Sequence, residues 1–138
     1  MIIIACVDEK GGMLFNNRRQ SKDRVLIKHI NELKGENKLW INTFSSELFE
    51  EYIGDNVCVD DDFLFQMSEN DYCFVENISL NEVQDRIDKI ILYNWNRHYP
   101  AEKFWDLPLD NWKLVSEKDI VGSSHDKITE RIYIRGNL

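Results

Sequence analysis

The sequence predicts an α/β fold: three layers built on a mostly parallel central sheet, with an antiparallel pair at its C-terminal edge. Three observations lead there. Ile2–Val7 is apolar throughout, as a central strand buried on both faces should be. Strand-like and helix-like segments alternate through the first half of the chain, the pattern of parallel pairing. Strand patterns dominate the second half, and the last of them, Ile128–Arg135, alternates apolar and polar as an outer antiparallel strand does. With 138 residues and 43% of them apolar, residues 1–138 are expected to form a single domain with a substantial core.

After the first strand, Asp8–Gly12 has turn chemistry. A polar loop with two asparagines and two adjacent arginines follows. It leads into a helix whose apolar positions include Val25, Leu26, Ile30 and Leu33. Ser21 is the expected N-cap, which places Asp23 in the first turn, where the helix dipole favours a carboxylate. Gly35 closes this helix. Lys38–Ile41 and Asn56–Val59 read as short strands around a second short helix, Glu47–Tyr52, which ends before Gly54. Phe63–Met67 is expected to form a turn of helix, and Asp71–Glu76 a buried strand. Ser79 and Glu82 have capping-box spacing, with Ile78 and Val83 as the staple, so a helix is expected to run to about Arg86. Lys89–Trp95 is the strongest strand pattern. An aromatic-rich connection, Asn96–Pro108, separates it from a strand at Trp112–Val115, and Asp119–Lys127 reads as polar loop.

The composition excludes several classes of function. A formal charge of −8 opposes nucleic-acid binding, which needs a basic face, and suits a basic protein partner. No apolar run reaches the ~18–20 residues of a membrane span, and the start of the chain has no signal-like segment, so no membrane role and a cytoplasmic location are expected. Cys6, Cys58 and Cys73 match no zinc or redox spacing and read as small apolar fillers in strands. Asp60-Asp61-Asp62 lacks the spacing and glycine of a calcium loop and reads as a solvated turn, so no metal site is expected.

Several local strings resemble dihydrofolate reductase. Ile4-Ala5-Cys6-Val7-Asp8 followed by Gly11-Gly12-Met13 is similar to that family's first strand and active-site loop. Asp23–Lys28 lines up with the helix start that carries its pterin-binding acid. Ile87–Tyr93, Trp112–Glu117 and Ser123–Lys127 with the closing strand resemble its C-terminal half. The resemblance implies that fold, NADPH as cofactor, and Asp23 as the candidate catalytic or substrate-anchoring acid.

The departures fall on the cofactor half. Where the family has a Gly-Gly pair that lets a pyrophosphate approach the backbone, this chain has Phe74-Val75-Glu76-Asn77. Its Gly-Arg-x-Thr phosphate site reads Asn42-Thr43-Phe44-Ser45, without the arginine. The loop's Pro-Trp is replaced by Arg18-Arg19, and the threonine supporting the pterin acid corresponds to Lys103. The expectation is therefore a degenerate dihydrofolate reductase-like protein that needs no cofactor. It would bind a small molecule or a basic protein, in one form as an acidic immunity or inhibitor protein. The alternative is a divergent NADPH-dependent reductase acting on a pterin-like or other small substrate.

Candidate contacts are Asn16, Arg18, Arg19, Asp23 and Lys28 in the central stretch. Paired arginine N–H groups suit a phosphate, a carboxylate or an acidic partner. Phe104 and Trp105 are the aromatic pair expected at an exposed binding face. His98 and His125 have no second ligand at metal spacing and read as ordinary loop residues.

Overall fold

The computed structural model describes residues 1–136. A seven-stranded sheet organises them. Its strands are β1 (Ile2–Val7), β4 (Leu39–Ile41), β5 (Val57–Val59), β6 (Tyr72–Phe74), β7 (Lys89–Asn94), β9 (Trp112–Ile120) and β10 (Ile128–Arg135). The order is β5-β4-β6-β1-β7-β10-β9, parallel from β5 to β7 and antiparallel across β10 and β9. β1 is interior, as its continuous apolar sequence requires. It runs parallel to β6 on one side and β7 on the other. A second, three-stranded sheet joins β2 (Gly12–Phe15), β3 (Arg18–Arg19) and β8 (Lys103–Phe104) in the order β3-β2-β8.

The one α-helix among the described residues, α1 (Arg24–Leu33), buries Leu26, Ile27 and Ile30 against Ile4, Phe74, Ile91 and Tyr93 on one face of the sheet. The opposite face packs Ile3, Ala5, Val75, Ile90 and Leu92 against Phe63, Met67, Leu80 and Val83. The layers beyond α1 are 3-10 turns, at Ser46–Tyr52, Phe63–Phe65 and Asn81–Arg86. Tertiary packing, not helix propensity, holds such short pieces. Ser79 does not cap the last of these turns: Leu80 takes the cap position, and the Ser79 hydroxyl donates to Asp106 at 2.7 Å.

Two strand expectations are corrected. The edge strand is β9, which extends through Ile120 into the segment read as loop, while β10 lies inside it between β7 and β9. Burial of a polar residue explains the second-from-edge position of β10. Glu130 is 2% exposed and accepts from Tyr93 Oη at 2.8 Å, with His29 Nε2 of α1 also at 2.8 Å. That pairing ties the helix to the sheet through β10. A register shift beside Leu114 and Ser116 places a bulge in the edge strand, a device that discourages further strand addition. The three cysteines sit in β1, β5 and β6 as free thiols.

Candidate functional site

In open α/β sheets the ligand crevice lies beyond the carboxyl ends of the strands, where the chain reverses its direction of travel across the sheet. Here that place is the end of β1 between β6 and β7, roofed by the stretch from Gly11 to Asp23.

The roof is a folded hairpin, not an open loop. Asn16 and Asn17 both take positive φ, 51° and 59°, which asparagine tolerates and a two-residue hairpin turn needs. β2 and β3 then pair, with Phe15 opposite Arg18 and Leu14 opposite Arg19. Asp8 anchors the base. It accepts from the backbone of Lys10 and Gly12 at 2.8 Å, from Tyr99 N at 3.2 Å and from Gln20 Nε2 at 3.1 Å. Burial would raise the Asp8 pKa, but these donors outweigh it and hold the carboxyl below its usual value. Gly12 is required by close approach: a Cβ there would lie 2.6 Å from Ala101 Cβ and 2.7 Å from Asp8 Oδ2.

Alternation along β3 sends Arg18 outward and Arg19 into the crevice. Arg19 binds Glu76 through two parallel bonds, Nε to Oε2 at 2.9 Å and Nη2 to Oε1 at 3.0 Å. It also pairs with Glu47, donates to the Phe44 carbonyl at 2.9 Å and stacks over the Phe44 ring. Ser45 Oγ donates to Glu76 at 2.7 Å, completing the carboxylate's shell. The two segments where the resemblance places phosphate contacts therefore bind each other. Asn42 Nδ2 bridges to Asn77 at 2.8 Å, and the Thr43 amide and hydroxyl both donate to Asp61. The side-chain donors of Asn42, Thr43 and Ser45 are thus engaged within the protein, and Glu76 and Asp61 add negative charge.

Asp23 departs furthest from expectation. It is the N-cap of α1 itself, in place of Ser21, and accepts from Leu26 N at 3.1 Å. Its side chain is buried beneath the turn between β9 and β10. There it accepts from the backbone N–H groups of Ser123, Ser124 and His125 and from both serine hydroxyls. Burial alone would raise the pKa. The N–H groups of Ser123, Ser124 and Leu26, with the Ser124 hydroxyl, drive it far below the usual carboxylate range. Gly122 lies against the same carboxylate, and a Cβ there would be 2.3 Å from Asp23 Oδ2. Lys103 does not touch Asp23; it lies in β8 opposite Leu14.

His125, read as a loop residue, is buried in that turn. Its ring stacks on Trp95 at 4.5 Å, with Nε2 2.9 Å from Tyr99 Oη and Nδ1 2.8 Å from Ser124 Oγ. Burial holds the imidazole below the usual histidine value, against the pull of Asp23. Trp95, Glu76 and Cys6 border two spaces of about 10 and 20 Å³ in the crevice, the smaller also lined by Arg19. Each has room for roughly one water, where ligand pockets occupy about 300–1,000 Å³.

The other candidates scatter. Arg18 is exposed and makes no ion pair among the described residues. The Asn16 backbone N–H donates to Glu102 Oε1 at 3.3 Å. Lys28 points to solvent from α1. Phe104 is 46% exposed on β8, but Trp105 turns inward, packs on the core and donates Nε1 to the Leu107 carbonyl. The aromatic pair is therefore split, with one ring at the surface and one in the rim of the core. Ser45, Trp95 and the Ser123–His125 turn were missed as crevice-closing groups, and Glu76 was read only as a side chain in the glycines' place, because their partners lie far away in sequence.

No protein-family model matches the chain, and no curated protein matches it. Among solved structures it is similar to a dihydrofolate reductase from Enterococcus faecalis complexed with NADP(H) and RAB-propyl. The TM-score is 0.68 at 13% identity, covering 99% of this chain and 97% of that one. The fold is therefore dihydrofolate reductase-like. At that identity the likeness speaks for the fold alone, and function must be argued from the site.

Proposed function

We propose that this chain is a non-catalytic binding protein on a dihydrofolate reductase-like fold, with its cofactor crevice closed by its own side chains. The observation that carries this reading is the Arg19–Glu76–Ser45 cluster, which fills the strand ends where a dinucleotide would lie. Asp23 supports it: a carboxylate that already caps a helix and holds a turn has no acceptor free for a pterin. Binding then takes place at the surface, in the cytoplasm, with a small molecule or a basic protein. Asp23, Glu47, Glu50 and Glu51 outnumber Lys22 and Arg24 around an open groove of about 450 Å³ next to α1, which favours a basic partner for an inhibitor-like form of this role.

A second reading, a divergent NADPH-dependent reductase, is favoured by the fold likeness to an enzyme whose structure holds NADP(H). It requires the Arg19–Glu76 pair to open for the cofactor. Absorbance at the NADPH band, followed with dihydrofolate present, separates the two. The expected result is no turnover above the protein-free control. Dihydrofolate-dependent loss of the NADPH absorbance above that control would establish the reductase.

A further inference from the structure

We propose that the groove beside the β2–β3 hairpin is a binding site for a small aromatic carboxylate. This deepens the binding reading above and rests on its claim that the chain works at its surface. The groove has a volume of about 450 Å³, within the roughly 300–1,000 Å³ of small-molecule sites. Phe15, Tyr99 and Pro100 supply apolar and aromatic wall. Phe15 is 41% exposed, on a strand whose neighbouring residue Leu14 is in the core. Arg18 stands opposite Phe15 across the hairpin, so one cation and one ring share a face.

Charge selects the ligand. No aspartate or glutamate lines this groove, in a chain with 25 acidic and 17 basic residues. The groove beside α1 has similar volume, but its Lys22 and Arg24 share their lining with Glu47, Glu50 and Glu51. Arg18 combines exposure, an aromatic neighbour and a place in this groove with no ion pair among the described residues. A guanidinium in that position takes a carboxylate through two parallel N–H bonds, and the ring of the ligand lies against Phe15 and Tyr99.

The hairpin is held in place without help from Arg18, because the Asp8 shell and the Arg19–Glu76 pair anchor both strands. Arg18→Ala should therefore leave the fold intact and report only on the ligand. The test is a titration of 2-naphthoate followed by backbone and arginine side-chain NMR shifts. Saturable shifts are expected at Phe15, Arg18 and Tyr99. Arg18→Ala should weaken the affinity at least ~10-fold, and the neutral 2-naphthamide should bind more weakly by a similar factor. Arg18→Lys, which keeps the charge but loses the paired geometry, should fall between. Shifts that never saturate, shifts elsewhere, or an affinity unchanged in Arg18→Ala would each overturn the proposal. NADPH binding by the wild-type chain would instead overturn the closed-crevice reading, and the naphthoate result would still decide the groove.

Discussion

Replacing Asp23 by asparagine asks whether this carboxylate is a structural lock or a ligand anchor. The side chain accepts four backbone N–H groups, from Leu26, Ser123, Ser124 and His125, besides two serine hydroxyls. They divide between the oxygens: Leu26 and Ser123 donate to Oδ1, Ser124 and His125 to Oδ2. An asparagine has one acceptor oxygen. Whichever way its amide turns, two backbone N–H groups face an NH₂ and lose their partner. Each buried donor left unsatisfied costs about 1–3 kcal/mol, so the substitution should cost about 2–6 kcal/mol. Set against a typical total of ~5–15 kcal/mol, that is a large fraction of the stability. Urea unfolding followed by circular dichroism, at neutral pH, measures it directly. A loss below ~0.5 kcal/mol, the size of an ordinary surface change, would refute the lock and return Asp23 to the list of ligand-facing acids.

Three further outcomes are expected. Arg19→Ala should destabilise by about 3–5 kcal/mol, because it strands a buried glutamate, whereas Arg19→Met with Glu76→Leu should recover much of that loss; equal losses in the single and double variants would contradict the pairing. Gly122→Ala should destabilise by about 1–3 kcal/mol, since its Cβ has no room beside Asp23, and a neutral result in thermal unfolding would contradict the close contact. Stability should fall with acid. Asp23 has a depressed folded pKa, so its contribution is complete above the unfolded value of about 3.9 and is lost as pH drops toward the folded value. His125, also depressed, adds stability above about pH 6.5 that is lost as pH falls below it. A His125→Gln variant should therefore have a flatter profile between pH 7 and 5, and an unchanged slope would count against the buried neutral imidazole.

Much of the architecture was legible because it depends on local pattern. β1 and β4 to β7 are short apolar runs and α1 carries a helical apolar spacing, and the left-handed Gly35 closes the helix where a glycine was expected. What was not legible depends on distant partners. Ser21 and Asp23 are equally good cap residues by type, and the choice between them is made by N–H groups at Ser123–His125, one hundred residues on. Arg18 and Arg19 look alike in sequence. Strand alternation separates them, sending one to solvent and the other to Glu76, 57 residues away. The edge was misassigned because Glu130 reads as a solvent-facing position until His29 and Tyr93 are seen to cover it. The sequence shows Glu76 only as a side chain in the place of a glycine; its grip on Arg19 lay in the pairing.

The closed crevice is tested most directly by calorimetric titration of NADPH into the wild-type chain at neutral pH. With Arg19, Glu76 and Ser45 bound to one another and two carboxylates at the strand ends, no binding tighter than ~1 mM is expected, a free energy weaker than about −4 kcal/mol. A saturable isotherm with micromolar affinity would contradict the account, because the cofactor would then displace the pair that is argued to close its site.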